Sequence, residues 1–270
     1  MNEIKRPKIL VTNDDGIQSP AIWAMAEALT KLGEVTIVAP DKQYSGAGRS
    51  FAGRTGESKQ IPVPEGSQIH AAYSLDGTPA KTVVFGLFNL LPDEMPDLVV
   101  SGINYGENPG TCITSSGTVG AAMESAVNGI PALAVSQMVP ADEYMNHSDE
   151  IDFSPSVYFT VFFAERMLND ATFKALEMLK VDVPADANPQ TDWKMTRLSR
   201  YRYFEPVLEQ REDGSREINY RVNPAHPHIV PGDDVYALLH EKVVSVTPLT
   251  LDMTAPVDLQ QLEMAGRAAD

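Results

Sequence analysis

The chain has 270 residues, one cysteine and a formal net charge of −16 at neutral pH. That length accommodates one substantial core or two small ones, and the acidic balance excludes a nucleic-acid duplex as main partner, because phosphate backbones demand a concentrated basic surface. Lone Cys112 rules out an intrachain disulfide framework and paired-cysteine zinc sites; no membrane span or signal peptide is recognisable, so a cytoplasmic protein is expected.

Along the first half two patterns alternate. Residues 9–12 form an apolar run that predicts a buried strand, and residues 20–32 carry helical spacing, opened by Ser19 and closed by Gly33. EVTIVA at 34–39 predicts a second strand stopped by Pro40, with a Gly- and Ser-rich loop at 41–56 and a hairpin region after it. Helical spacing returns at 78–91, with Pro79 in the first turn. DLVVS at 97–101 predicts an all-apolar strand, 118–128 a helix ended by Gly129, and 132–136 a further strand. Near-continuous apolar strands separated by helices imply a parallel sheet covered on both faces. The expected fold is α/β: a doubly wound, mostly parallel, Rossmann-like core over about residues 7–183.

The second half differs. Residues 156–169 predict a strongly apolar helix packed on that core, and LKVDVP at 179–184 one more strand. From 191 to about 234 the chain turns polar and strand-like, and REDGS, beginning at Arg211, reads as a hairpin turn. A β-rich extension over about 191–240 has few apolar residues of its own. It is expected to project and meet a partner subunit in a homodimer or homotetramer. The tail, 241–270, alternates again at VVSVTPLTLDMT and is expected to dock on the core or on a partner subunit. Arg197, Arg200 and Arg202 read as a solvated strand face or an oligomer contact.

In an open parallel sheet, ligands bind beyond the carboxyl ends of the strands, where strand order reverses. Three polar loops would meet there: Asn13-Asp14-Asp15-Gly16, Tyr44-Ser45-Gly46 and Gly102-Ile103-Asn104. An isolated Asp-Asp-Gly is better explained as a helix cap. Beside the other two loops, Asp14 and Asp15 read instead as paired carboxylates whose repulsion a cation relieves. Carboxylate, hydroxyl and amide oxygens suit a hard ion such as Mg²⁺ or Mn²⁺. Ser115-Ser116-Gly117-Thr118-Val119-Gly120 opens a helix, whose first N–H groups can cradle a phosphate or merely be capped. An aspartyl-phosphate route of the Asp-x-Asp-Gly type fails, because Asn13 occupies the nucleophile position. His70, His147, His226, His228 and His240 all lie outside these loops, and no G-x-S-x-G elbow is present.

KILVTNDDGI, VAPDKQYSGAGRS, SLDGTPA, DLVVSGINYGENPG, SSGTVGAAMES and VSVTPLTLDMT stand in the order seen in the SurE family, survival proteins also known as 5′/3′-nucleotidases. The chain resembles that family from about residue 8 to 255. The resemblance implies hydrolysis of nucleoside 5′- and 3′-monophosphates by a metal-activated water, with one divalent ion (Mg²⁺ or Mn²⁺) per subunit. It implies Asp14, Asp15, Ser45 and Asn104 as ligands, one of the two aspartates as base, and Asn13, Asn104, Ser116, Gly117 and Thr118 facing a small phosphate substrate. It also implies dimers or tetramers that exchange C-terminal segments. The alternatives are a phosphatase acting on polyphosphate or other small phosphomonoesters, and a non-catalytic nucleotide-binding regulator. Ser115, Tyr105 and the LKVDVP strand depart from the usual pattern, which has tyrosine, a basic residue and an LNVN-type strand there.

Overall fold

A computed structural model describes residues 5–52, 56–144, 148, 150–211 and 213–267; His147 lies outside them. The strands are β1 (Lys8–Thr12), β2 (Glu34–Pro40), β3 (Ser58–Ile61), β4 (Ala71–Leu75), β5 (Leu98–Tyr105), β6 (Ala132–Gln137), β7 (Met178–Val183), β8 (Trp193–Met195), β9 (Glu205–Gln210), β10 (Arg216–Arg221) and β11 (Val244–Leu249). The helices are α1 (Pro20–Leu29), α2 (Pro79–Phe85), α3 (Gly117–Val127), α4 (Ser154–Asn169), the short α5 (Ala171–Lys174) and α6 (Asp234–Tyr236), and α7 (Leu259–Arg267). Among the described residues no helix is long and apolar enough to cross a membrane.

One sheet runs β3-β4-β2-β1-β5-β6-β7-β11-β8, and β9 and β10 form a separate antiparallel pair. From β4 to β7 every neighbouring pair is parallel, whereas β3 and β11 run antiparallel to β4 and β7. Successive side chains of a strand point to opposite faces, and β1 shows why its central residues, Ile9, Leu10 and Val11, are all apolar. Ile9 and Val11 join a core with Ile22, Met25, Phe159 and Phe163, from α1 and α4. Leu10, between them, joins the opposite core with Val83, Val119 and Met123, from α2 and α3. The architecture is therefore a doubly wound, mostly parallel α/β sheet, with additional antiparallel strands toward the C-terminus.

Two element ends differ from the sequence expectation. Helix α1 stops at Leu29 rather than near Leu32. Gly33 is required for another reason: a Cβ there would lie 2.2 Å from the Pro7 carbonyl oxygen. Strand β5 continues past Ser101 to Tyr105. Its pairing with β6 steps from Ser101↔Ala134 to Asn104↔Ser136, so β5 holds one extra residue there, a bulge.

In the extension, Tyr201, Tyr203 and Val235 form a small core of their own. The β9–β10 hairpin pairs Leu208 with Ile218 and Pro206 with Tyr220, which places these four on one face. Leu208, Ile218 and Tyr220 are all about 60% exposed in the single chain. Strand β11 returns to the main sheet beside β7, while α7 buries no residue. Arg197, Arg200 and Arg202 are exposed.

Candidate active site

Strand β1 is the switch point. The chain passes from it to β2 and β4 on one side, while β5, β6 and β7 lie on the other. A cleft of about 200 Å³ opens at the carboxyl ends of these strands, lined by Asp14, Gln43, Ser45, Asn104 and Ser116 and, farther along, by Glu107, Tyr144 and Phe204. A larger surface hollow of about 480 Å³ lies among Lys5, Arg6 and Lys174, but it sits at the amino-terminal edge of the sheet, away from the paired carboxylates. Strand polarity favours the smaller one.

The turn after β1 braces itself. Asn13 Oδ1 accepts from the Gly16 N–H at 3.0 Å, and Asn13 Nδ2 donates back to the Gly16 carbonyl at 3.0 Å. The loop after β2 is latched on through the Tyr44 N–H, which donates to the Asp14 carbonyl at 2.7 Å. The Asp14 side chain faces the start of α3: Thr118 Oγ1 donates to Asp14 Oδ1 at 2.6 Å, and the Gly117 and Thr118 N–H groups favour its charged form. This approach explains the glycine at 117, where a Cβ would lie 2.7 Å from Asp14 Cβ and Oδ2. Ser116 caps the helix, its Oγ accepting from the Val119 N–H at 3.2 Å.

Asp15 lies one layer behind, only 1% exposed. Gln43 Nε2 donates to its Oδ1 at 3.0 Å, and the Tyr105 N–H donates to its Oδ2 at 3.3 Å. Burial raises the Asp14 carboxyl above the usual carboxylate range against the pull of Thr118 and the helix-start N–H groups. Burial raises Asp15 well above that range, and the negative charge of Asp14 adds to the effect. Asn104 sits inside β5 beyond the bulge, and its Nδ2 donates to the Gly106 carbonyl at 2.5 Å, which leaves the amide oxygen as its ligating end. Ser45 is exposed at the rim.

Of the expected residues, Asp14, Ser45, Asn104 and Ser116 line the cleft together, while Asn13, Asp15, Gly117 and Thr118 stand behind it. Two residues expected to face phosphate have partners within the chain. Asn13, expected to face phosphate, is wholly buried with both ends of its amide engaged in its own turn. Thr118 is likewise buried, and its hydroxyl donates to Asp14. The anion at the start of α3 is thus the Asp14 carboxylate, which the positive end of the helix favours.

Sequence reasoning missed Gln43, Glu107, Tyr144 and Phe204. Gln43 stands two residues before Ser45, within a segment already singled out. Tyr144 and Phe204 come from remote segments and meet edge to face, with ring centroids 6.2 Å apart. Glu107 is 4% exposed; Tyr203 donates to its Oε1 at 2.6 Å, and its Oε2 has no hydrogen-bond partner among the described residues.

The residues fit a divalent cation. Among the described residues no group of three or more His, Cys, Asp or Glu could hold a metal, so a cation here must draw on hydroxyl and amide oxygens besides the two aspartates. Such an all-oxygen set suits a hard ion, which would also relieve the repulsion that raises Asp15.

The fold and cleft define a doubly wound α/β protein with an acidic, oxygen-lined site at its switch point. The chain belongs to the SurE family: the family model described as Survival protein SurE matches residues 9–205. It is 42% identical over 257 residues to the 5′-nucleotidase SurE of Thermococcus gammatolerans, covering 95% of this chain and 94% of the relative. It is 41% identical to the 5′-nucleotidase SurE of Thermococcus kodakarensis, covering 94% and 96%. The crystal structure of the SurE protein from Aquifex aeolicus superposes with a TM-score of 0.77 at 33% identity, covering 98% of this chain and all of the other.

Proposed function

We propose that this chain is a divalent-cation-dependent 5′-nucleotidase that releases phosphate from nucleoside 5′-monophosphates, and also from 3′-monophosphates. The observation that carries the reading is the Asp14–Asp15 pair, buried at the switch point with Asp14 facing the cleft. The Thermococcus relatives, similar over nearly their full length, bear the name 5′-nucleotidase.

Asp14, Asp15, Ser45 and Asn104 would hold one Mg²⁺ or Mn²⁺ per subunit. When bound, such an ion lowers the pKa of water and offsets charge on phosphoryl oxygens. The remaining work falls to the chain. Gly117 and Thr118 keep the Asp14 carboxylate aimed at the cleft, where it can accept a proton from the attacking water. Ser116 and Asn104, also lining the cleft, bind phosphoryl oxygens. Tyr144 and Phe204 offer an aromatic wall to a base, which favours a nucleotide over polyphosphate. The exposed face of Pro206, Leu208, Ile218 and Tyr220 is read as the contact for a second copy of the chain.

The test is a phosphate-release panel of nucleoside 5′- and 3′-monophosphates, short polyphosphate and sugar phosphates, with Mg²⁺, Mn²⁺ or chelator. Asp14→Asn is expected to remain folded and to lose ~100-fold or more of the turnover, the scale of removing a dominant electrostatic contribution. Activity surviving complete chelation, or wild-type turnover in Asp14→Asn, overturns the metal assignment. No phosphate release from any nucleotide overturns the enzymatic one.

A further inference from the structure

We propose that Gln43 is a positioning residue that orients Asp15 for the cation and ties the Tyr144 wall of the cleft to the same carboxylate; this rests on the metal reading above. The Gln43 side-chain nitrogen donates in two directions, to Asp15 Oδ1 at 3.0 Å and to the Tyr144 carbonyl oxygen at 2.9 Å. A carboxamide nitrogen carries two protons, so both are engaged. The Tyr144 carbonyl is a pure acceptor, which fixes the amide with its nitrogen toward it.

The backbone beneath Gln43 is equally constrained. The neighbouring Tyr44 N–H is bonded to the Asp14 carbonyl. Loop and turn lie so close that a Cβ on Gly16 would be 3.0 Å from the Lys42 carbonyl carbon. Gln43 therefore projects from a loop clamped onto the very turn that carries the two aspartates.

Asp15 Oδ1 accepts from Gln43 and Oδ2 from the Tyr105 N–H, donors that come from different strand ends. Donors held on both oxygens set the plane of the carboxylate. Partners that orient ligands in this way matter nearly as much as the ligands, and their loss lowers metal affinity or activity by ~10–100-fold. The other arm of Gln43 reaches 101 positions along the chain to Tyr144. The Tyr144 ring presses on Gly106, where a Cβ would lie 2.8 Å from it, and meets Phe204 edge to face. A single side chain thus links the carboxylate to the aromatic wall, so its loss affects both cation affinity and nucleotide binding.

The test uses full-length Gln43→Met, which preserves side-chain length without a donor, with Gln43→Ala as a second variant. Mn²⁺ affinity is measured calorimetrically without substrate, and KM for AMP and for methyl phosphate is measured at saturating Mn²⁺. Gln43 is only partly buried, so thermal melting should confirm folded variants. The expected result is Mn²⁺ affinity ~10–100-fold weaker, with KM rising more for AMP than for methyl phosphate. Unchanged Mn²⁺ affinity in both variants, with tight wild-type binding, overturns this inference alone. A wild-type protein that binds no Mn²⁺ overturns the metal reading and this inference with it.

Discussion

Replacing Lys180 by Met should destabilise the protein severely, because one ammonium serves two buried carboxylates. Lys180 and Asp182 alternate along β7 and so point to the same face, where Asp234 meets them; all three are fully buried. The Lys180 ammonium contacts Asp182 Oδ2 and lies 3.2 Å from Asp234 Oδ2. Burial opposes the lysine charge, but Asp182 and Asp234 outweigh it and hold the ammonium above its ordinary pKa. Backbone donors complete the cluster at 2.8 Å each, from Asn108 to Asp182 and from Gly110 and Ser199 to Asp234. Breaking a buried ion pair on one side costs about 3–5 kcal/mol, and two stranded carboxylates place this variant toward the upper end. Against a total stability of about 5–15 kcal/mol, and at about 2–4 °C per kcal/mol for a chain approaching this size, melting should fall by roughly 6–20 °C. Urea unfolding and thermal melting at one fixed protein concentration measure it. The deficit should shrink toward acid pH, where the stranded carboxylates take up protons. A loss below about 1 kcal/mol would refute the reasoning. An all-apolar triple replacement should not be neutral either, because it removes the side-chain acceptors of the buried Asn108, Gly110, Ser199 and Val235 N–H groups, at about 1–3 kcal/mol for each one left unpaired.

Two further outcomes follow from the same geometry. Burial holds the Glu107 carboxyl above its ordinary value of 4.5 against the Tyr203 hydrogen bond, with repulsion from Asp182 adding to the rise. Its contribution to stability is therefore complete below that value and is lost as pH rises through the higher folded-state value. Glu107→Gln should remove this decline, and urea unfolding between pH 4.5 and 7 would show it; equal slopes in both proteins would contradict it. If the hairpin face is the proposed contact between copies, Leu208→Lys/Ile218→Lys should sediment as smaller species than wild type without melting the core. An isolated two-stranded hairpin is marginal in water and gains its stability from being covered. Unchanged mass would remove the hairpin face from the interface.

The alternating core was readable in the sequence because strands such as β1 and β6 are buried on both faces and hence carry unbroken apolar runs, Ile9–Val11 and Ala132–Val135. The polar residues that follow such runs, Asp14, Asp15 and Ser45 among them, stand out by contrast. Asn104 was readable as a residue but not as a place. It lies within β5, and a bulge that depends on pairing with β6 carries it to the cleft. Gly117 and Thr118 carry motif-like identities, yet their service to Asp14 follows from α3 packing against the turn after β1, and no local pattern encodes that approach. Lys180 and Asp182 looked like departures in one strand until Asp234 closed the cluster from 52 positions away. Gln43 is joined to Tyr144 across an even longer interval. The sequence by itself determined the strand order of burial, the family and the candidate oxygen ligands, since periodicity and contiguous motifs are local properties. Only the tertiary structure decided which side chains face the cleft and which brace them, because hydrogen bonds between distant segments exist only once the sheet has brought its strand ends together.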